Sequence, residues 1–212
     1  MSVSSEDFNR AIPAYLSAAD KEALVKALKD FPQYARSYYY DVADKDALQG
    51  DVWTKFSVYD FVNQKVVGVR GIIISNSCDI SPDNKRFVPA RISFATLLSF
   101  NKYENMLLAN GIDFKKVQSH LREIKEQKIT SMFYLPERKD VHEEMIALFQ
   151  DLHSTPLEVF EKNPDKKRIS SLSQFGFYLL LFKISINFCR FMEGVNRGSI
   201  ENGNSQNLAN LH

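Results

Sequence analysis

The stretch DVWTKFSVYDFVNQKVVGVRGIIISN, Asp51 to Asn76, decides the fold. It holds two runs rich in β-branched and aromatic residues, DVWTKFSVYDFV and KVVGVRGIIISN, joined through DFVNQK with its Asp and Asn turn chemistry. SCDISPDN, residues 77–84, supplies a second set of turn residues before a third run, KRFVPARIS, at residues 85–93. Three strands at such close spacing predict a meander in a small barrel or half-open sheet.

The pattern changes on either side. Upstream, LSAADKEALVKALKDFP predicts an amphipathic helical arm within residues 1–35, with Ser17 as N-cap and Pro32 as its stop. Downstream of Ser93, SFATLLSFNKYENMLLANG and DFKKVQSHLREIKEQ carry helical periodicity. They predict a helical insertion at about residues 94–127, with Phe114, Val117, Leu121 and Ile124 on one face of the second helix. KITSMFYLPE returns to strand composition. EEMIALFQDLHSTPLEVF fits either a helix or a strand from Met145 to Ser154 ending at Pro156, and the strand is preferred. RISSLSQFGFYLLLFKISINFCRFMEG then predicts a C-terminal helix within 161–194, capped by Ser173 and apolar round most of its circumference, so it needs cover on two sides. Residues 195–212 are Gly- and Asn-rich without periodicity and read as a disordered tail. The expectation is an α+β protein: a small SH3-like β-barrel core over residues 36–160, interrupted by the helical insertion and flanked by N- and C-terminal helices.

With 212 residues and 44% hydrophobic content the chain is long enough to bury a core. Its 27 basic and 26 acidic side chains give a net charge of +1, so no global field recruits nucleic acid or an acidic membrane. The two cysteines lie far apart in sequence and make no disulfide framework, and MSVSSEDFNR lacks the basic and apolar regions of a secretory signal. A cytoplasmic chain is expected. The most membrane-like stretch, Phe175 to Met192, contains Lys183 and Arg190, and each such cation costs roughly 2.5–3.5 kcal/mol at a bilayer centre. No membrane partner is expected.

Alternation in RFVPARIS puts Phe87, Pro89, Arg91 and Ser93 on one face and Val88, Ala90 and Ile92 on the other. An antiparallel pairing through SCDISPDN, with Arg70 beginning the preceding strand, would bring Arg70 close to Ser93. GDVW (Gly50 to Trp53), RGIIISN (Arg70 to Asn76) and VPARIS (Val88 to Ser93) together resemble the barrel core of the MazF/PemK-like toxin family. MIALFQDLHSTPLEVF is similar to that family's closing strand. The resemblance implies an SH3-like barrel that cuts single-stranded RNA without a metal or other cofactor. It implies Arg70 as the group that stabilises the phosphorane charge, a task suited to a guanidinium's planar fork, and Ser93 as its partner at the scissile phosphate. It further implies Asp51, Trp53 and Arg91 as substrate-binding residues. Gly71 stands where the family has proline, and Ser93 where threonine is commoner. The chain also resembles a group of bacterial and phage proteins of similar length that share an SQSCDI-type motif.

Each of these residues has a plainer reading beside it. Arg70 fits a strand-end surface arginine. Ser77, Cys78 and Asp79 form a turn that is either structural or part of a site: Cys78 is a small buried hydrophobe, or a nucleophile if His153 partners it, and Asp79 is a turn cap. His142, Glu143, Glu144, Asp151 and His153 invite a metal reading, with Asp151 and His153 on one strand face, but no HExxH spacing supports it, and no metal is expected. Lys115, Lys116, Arg122, Lys125 and Lys128 alternate with acids and read as a solvated helix face. No glycine-rich phosphate loop is present. Two functions follow as expectations: a MazF-like RNA-binding protein or endoribonuclease in a toxin, phage or defence setting, or a non-catalytic barrel module that binds a protein partner or forms a homodimer through its C-terminal helix.

Overall fold

A computed structural model describes residues 38–41 and 46–188. The expected N-terminal arm, the tail and the last turns of the C-terminal helix lie outside the described residues. In chain order the elements are β1 (Tyr39–Tyr40), β2 (Val52–Asp60), β3 (Lys65–Ile73), α1 (Ser77–Ile80), β4 (Arg91–Ser99), α2 (Phe100–Ala109), α3 (Phe114–Lys125), β5 (Met132–Leu135), β6 (Met145–Pro156), α4 (Leu157–Glu161), β7 (Arg168–Leu172) and α5 (Gln174–Phe188). The strands form one antiparallel sheet in the order β1-β7-β2-β3-β4-β6-β5.

The founding hairpin is closed by Asp60. Its carboxylate accepts from Val62 N and Asn63 N, both at 3.0 Å, and from Asn63 Nδ2 at 2.7 Å, which fixes the turn Phe61–Gln64. Because side chains alternate along β3, Ile72 enters one core while Gly71 and Ile73 face another. The larger core packs Val52, Ile72 and Ala95 beneath Val117, Leu121 and Ile124 of α3 and Leu179, Leu180 and Phe182 of α5. The smaller is aromatic: Phe94, Phe56 and Phe160 stack at 4.1 and 4.8 Å, with Trp53 edge-on to Phe160. Gly71 lies beneath this stack. A Cβ there would stand 2.8 Å from both Phe56 Cδ2 and Phe94 Cδ2, so a side chain is excluded by the rings.

The mixed helix–strand class holds, but the ladder is open: its ends, β1 and β5, are not neighbours in the sheet order. Side chains bring the two ends together instead. Tyr38 Oη donates to Tyr134 O at 3.1 Å, Tyr39 Oη donates to Pro136 O at 2.8 Å, and Arg138 pairs with Asp41.

Several expected boundaries move. SFATLL is strand, not helix, because Phe94 and Ala95 must pair with β3 and bury on opposite faces, so the helical insertion begins at Phe100. Residues 85–90 precede the third strand rather than opening it, and Phe87 and Val88 are exposed. EEMIALFQDLHSTPLEVF forms the long strand β6 and then the short helix α4. RISSL, expected at the entrance of the C-terminal helix, is β7, which fills the gap between β1 and β2, so the sheet runs on to Leu172. Ser173 caps α5, its Oγ accepting from Gly176 N at 3.2 Å. Among the described residues no helix is long and apolar enough to cross a membrane.

Lys183 is 1% exposed in α5, where its Nζ donates to Gln127 O at 2.8 Å and to Ile129 O. Burial pulls its ammonium down to about 7. In the unfolded chain a lysine holds its proton to about pH 10.4. Between those limits the unfolded state binds more protons, so stability should rise with pH from about 7 to about 10 and stay flat below. Above that window the buried tyrosines Tyr38, Tyr39 and Tyr134, whose hydroxyls resist ionisation, oppose the trend. Urea midpoints across the window should climb for the wild type and flatten for Lys183→Met. A flat wild-type profile would count against a buried, displaced ammonium.

Candidate functional site

Arg70 and Ser93 sit on the same sheet face but apart. The pairs Gly71↔Thr96 and Ile73↔Phe94 set Arg70 and Ser93 four ladder positions from one another, about 13 Å at strand rise. The expected juxtaposition fails because β3 starts at Lys65, which leaves Arg70 in mid-strand, and because the connection from Ile74 to Ala90 is long. Arg70 Nη2 donates to Glu143 Oε1 at 3.0 Å, and Ser99 Oγ donates to Glu143 Oε2 at 2.7 Å. Those two contacts, Ser99 first, hold the Glu143 carboxyl below its usual range. The guanidinium expected at a phosphate therefore has a carboxylate in its fork. Ser93 contributes backbone: its N–H donates to Ser75 Oγ at 2.7 Å, and its carbonyl accepts from Ile74 N and Ser75 N.

The other expected binding residues are also structural. Arg91 is exposed but clasps the neighbouring strand, donating to Ser154 Oγ at 3.0 Å and Ser154 O at 2.6 Å. Asp51 is 1% exposed, so it cannot meet a substrate. It closes the turn before β2 by accepting from Leu48 N at 3.0 Å, and it pairs with Arg168 Nε at 3.1 Å. Burial raises its carboxyl above the usual range, and donors on Ser171, Leu48, Arg168 and Trp53 only partly offset this. Trp53 is buried too, with the Arg168 guanidinium 5.0 Å from its ring.

Ser77, Cys78 and Asp79 belong to the single turn α1, not to an open loop. The cap is Asn76, whose Oδ1 accepts from Cys78 N at 2.9 Å, so Asp79 does not hold the role expected of it. Ser77 Oγ accepts from Gln49 N at 2.9 Å, and Arg86 clamps the carbonyls of Asp79 and Ser81. Cys78 is exposed rather than buried.

Sequence alternation had placed Asp151 and His153 on one face, and the structure adds Thr96 across the sheet. β6 bulges between Ala147 and Leu152, which carries Asp151 to Thr96 Oγ1. His153 Nε2 lies 2.8 Å from the other Asp151 oxygen, and its ring stacks on Phe94. A nucleophilic triad needs the imidazole between hydroxyl and carboxylate. Here the carboxylate stands in the middle, accepting from Thr96 Oγ1 on one oxygen and facing His153 Nε2 on the other, so the order of groups is not that of such a triad. His142, Glu143 and Glu144 belong to separate networks: His142 Nδ1 donates to Glu143 O at 2.8 Å, and Glu144 accepts from Lys125 Nζ and Tyr134 Oη. Among the described residues no group of three or more His, Cys, Asp or Glu could hold a metal.

A cleft of about 720 Å³ opens between α2, α3 and the segment before β6. Phe100 and Leu121 line it with Glu104, Glu126, Glu137, Glu143 and Glu144, against Arg122 and Lys125. Its excess of carboxylates repels phosphate.

One feature went unread in the sequence. Among the described residues β3 meets β4 only at Gly71–Ile73, and β2 meets β7 only at Val52 and Trp53, so Phe56–Asp60 and Lys65–Val69 pair there with each other alone. The outer hairpin is a two-stranded ribbon. Tyr59 and Val66 face each other on one side at 47% and 67% exposure, and Phe61 and Val62 form the tip at 83% and 91%. The Tyr59 and Phe61 rings meet edge-on at 5.0 Å. The signal was there: two large apolar residues inside a turn of Asp, Asn and Gln. No family model, curated protein or solved structure matches this chain.

Proposed function

We propose that this protein is a non-catalytic interaction module, a barrel-like coiled sheet that presents the β2–β3 ribbon to a protein partner. The observation that carries this reading is the ribbon itself, with four large apolar side chains exposed at its tip and along one face. Side-chain closure between β1 and β5 supports describing the scaffold as an SH3-like barrel with an open seam. The C-terminal helix is the weaker contact element: Leu179, Leu180 and Phe182 are buried, and most of its other apolar residues pack on the same core.

The MazF-like ribonuclease reading needs Arg70 and Ser93 on one phosphate in a basic groove. The separation of the two residues, the Glu143 carboxylate on Arg70 and the acidic cleft all argue against it.

The test has two arms. Affinity purification of the wild type beside a Phe61→Asp/Val62→Asp variant should show a partner lost in the variant, while circular dichroism shows the fold retained. A partner that the variant keeps would overturn the ribbon as the contact element. In the second arm, single-stranded RNA incubated with chelator should remain intact with both the wild type and Arg70→Ala. Metal-independent cutting that Arg70→Ala lacks would restore the enzyme reading.

A further inference from the structure

We infer that the partner seated on the ribbon is a second copy of this chain, packed ribbon face to ribbon face about a two-fold axis; this rests on the interaction reading above. A two-fold contact brings one patch against itself, and only a self-complementary patch can do so. Tyr59, Phe61, Val62 and Val66 carry no charge, so the patch itself sets no like charges against one another when it meets its copy, and the nearest cation on that face is Lys55 at its edge. The net charge of +1 adds almost no repulsion between whole molecules.

The area reaches the minimum. Complete burial of the exposed parts of these four side chains removes at most roughly 500 Å² per copy, given the 150–250 Å² that a large aromatic presents. Two copies then bury about 1,000 Å², the lower bound for a specific interface. A reversible dimer follows, not an obligate one. At the next rung, where Ser57 pairs with Gly68, the missing side chain makes room for the Lys55 stem, which borders the apolar patch. An isolated two-stranded ribbon is marginally stable in water, so a second ribbon packed on it also supplies the cover that its own sheet withholds.

Sedimentation velocity of the purified full chain over about a hundredfold range of concentration is the test, since mass action makes the dimer fraction climb with concentration. The wild type should shift from monomer toward dimer, and Phe61→Asp/Val62→Asp should need at least about tenfold more protein to reach the same dimer fraction, one decade of Kd. Both residues are more than four-fifths exposed, so the variant loses little monomer packing beyond the edge-on contact of Phe61 with Tyr59. Phe87→Asp, in the segment before β4 and fully exposed, should dimerise like the wild type. As a second measurement, hydrogen exchange at Tyr59–Val66 should slow as concentration rises. A wild type that stays monomeric throughout, or that loses its dimer through Phe87→Asp instead, overturns the second copy. If a monomeric wild type nevertheless loses a purified partner in the ribbon variant, the interaction reading survives that result. If the ribbon variant alters neither measurement, both fall.

Discussion

Asp51→Ala is expected to destabilise the protein by about 3–5 kcal/mol, the usual penalty for removing one member of a buried ion pair. The Asp51 side chain is 2% exposed and that of its partner Arg168 is 15% exposed, so water cannot replace the lost carboxylate. Leu48 N loses its acceptor in the same step, and the turn that launches β2 loosens. Arg168 keeps the Trp53 ring and the Asp46 carbonyl among its contacts while losing the buried carboxylate. The damage lies in removing a buried carboxylate that serves Arg168 and Leu48 N together. Burial already raises the Asp51 carboxyl, which means its ionised form is not fully repaid by its donors. Asp51→Ala/Arg168→Met should consequently recover part of the loss. Urea unfolding of the two single variants and the double variant decides it: equal losses in Asp51→Ala and the double variant would show that the balance of charge at Arg168 is not the cause.

Phe94→Ala should cost a similar amount, about 3–5 kcal/mol, through lost transfer energy and the cavity left behind. Phe94 is wholly buried, stacks on Phe56 at 4.1 Å and carries the His153 ring on its other side. Collapse cannot fill the space, because β3, β4 and β6 meet there through fixed backbone pairs. Gly71 gives an internal check. Its missing Cβ would press on both Phe94 and Phe56, so Gly71→Ala should cost less when Phe94 is already alanine. A double-mutant cycle read by thermal melts would show this coupling, and strict additivity would refute it.

Local signals account for the parts of the fold that could be read in advance. β-branched and aromatic runs bounded by Asp, Asn and Pro marked β2 and β3, and they outweighed the helical alternative for β6 through Met145 to Ser154. The same signals misled at SFATLL and RISSL, where a short run flanking a helix became strand because neighbouring strands supplied its hydrogen bonds. Asp51 and Trp53 looked like a surface motif, since residue types in GDVW say nothing about which side of β2 meets the core. Phe61 and Val62 stand among Asp, Asn and Gln, whose turn chemistry carries no sign of what the tip presents to solvent.

From its own residues the chain determines alternation, caps and the charge balance: which positions share a strand face, that Ser173 begins a helix, that no field of one sign surrounds the molecule. These depend on neighbours a few residues away and on summed charge. The tertiary structure alone decided register, curvature and exposure. Arg70 and Ser93 lie about 13 Å apart because of how β3 slides against β4. Asp51 is sealed by β7, which arrives more than a hundred residues later. The ribbon is bare because β4 parts from β3 after Thr96, where its register with β6 shifts, and among the described residues the outer half of β3 has no second neighbour. Each of these is set by contacts between distant segments, whose free energies belong to pairs of strands and not to any one stretch of sequence.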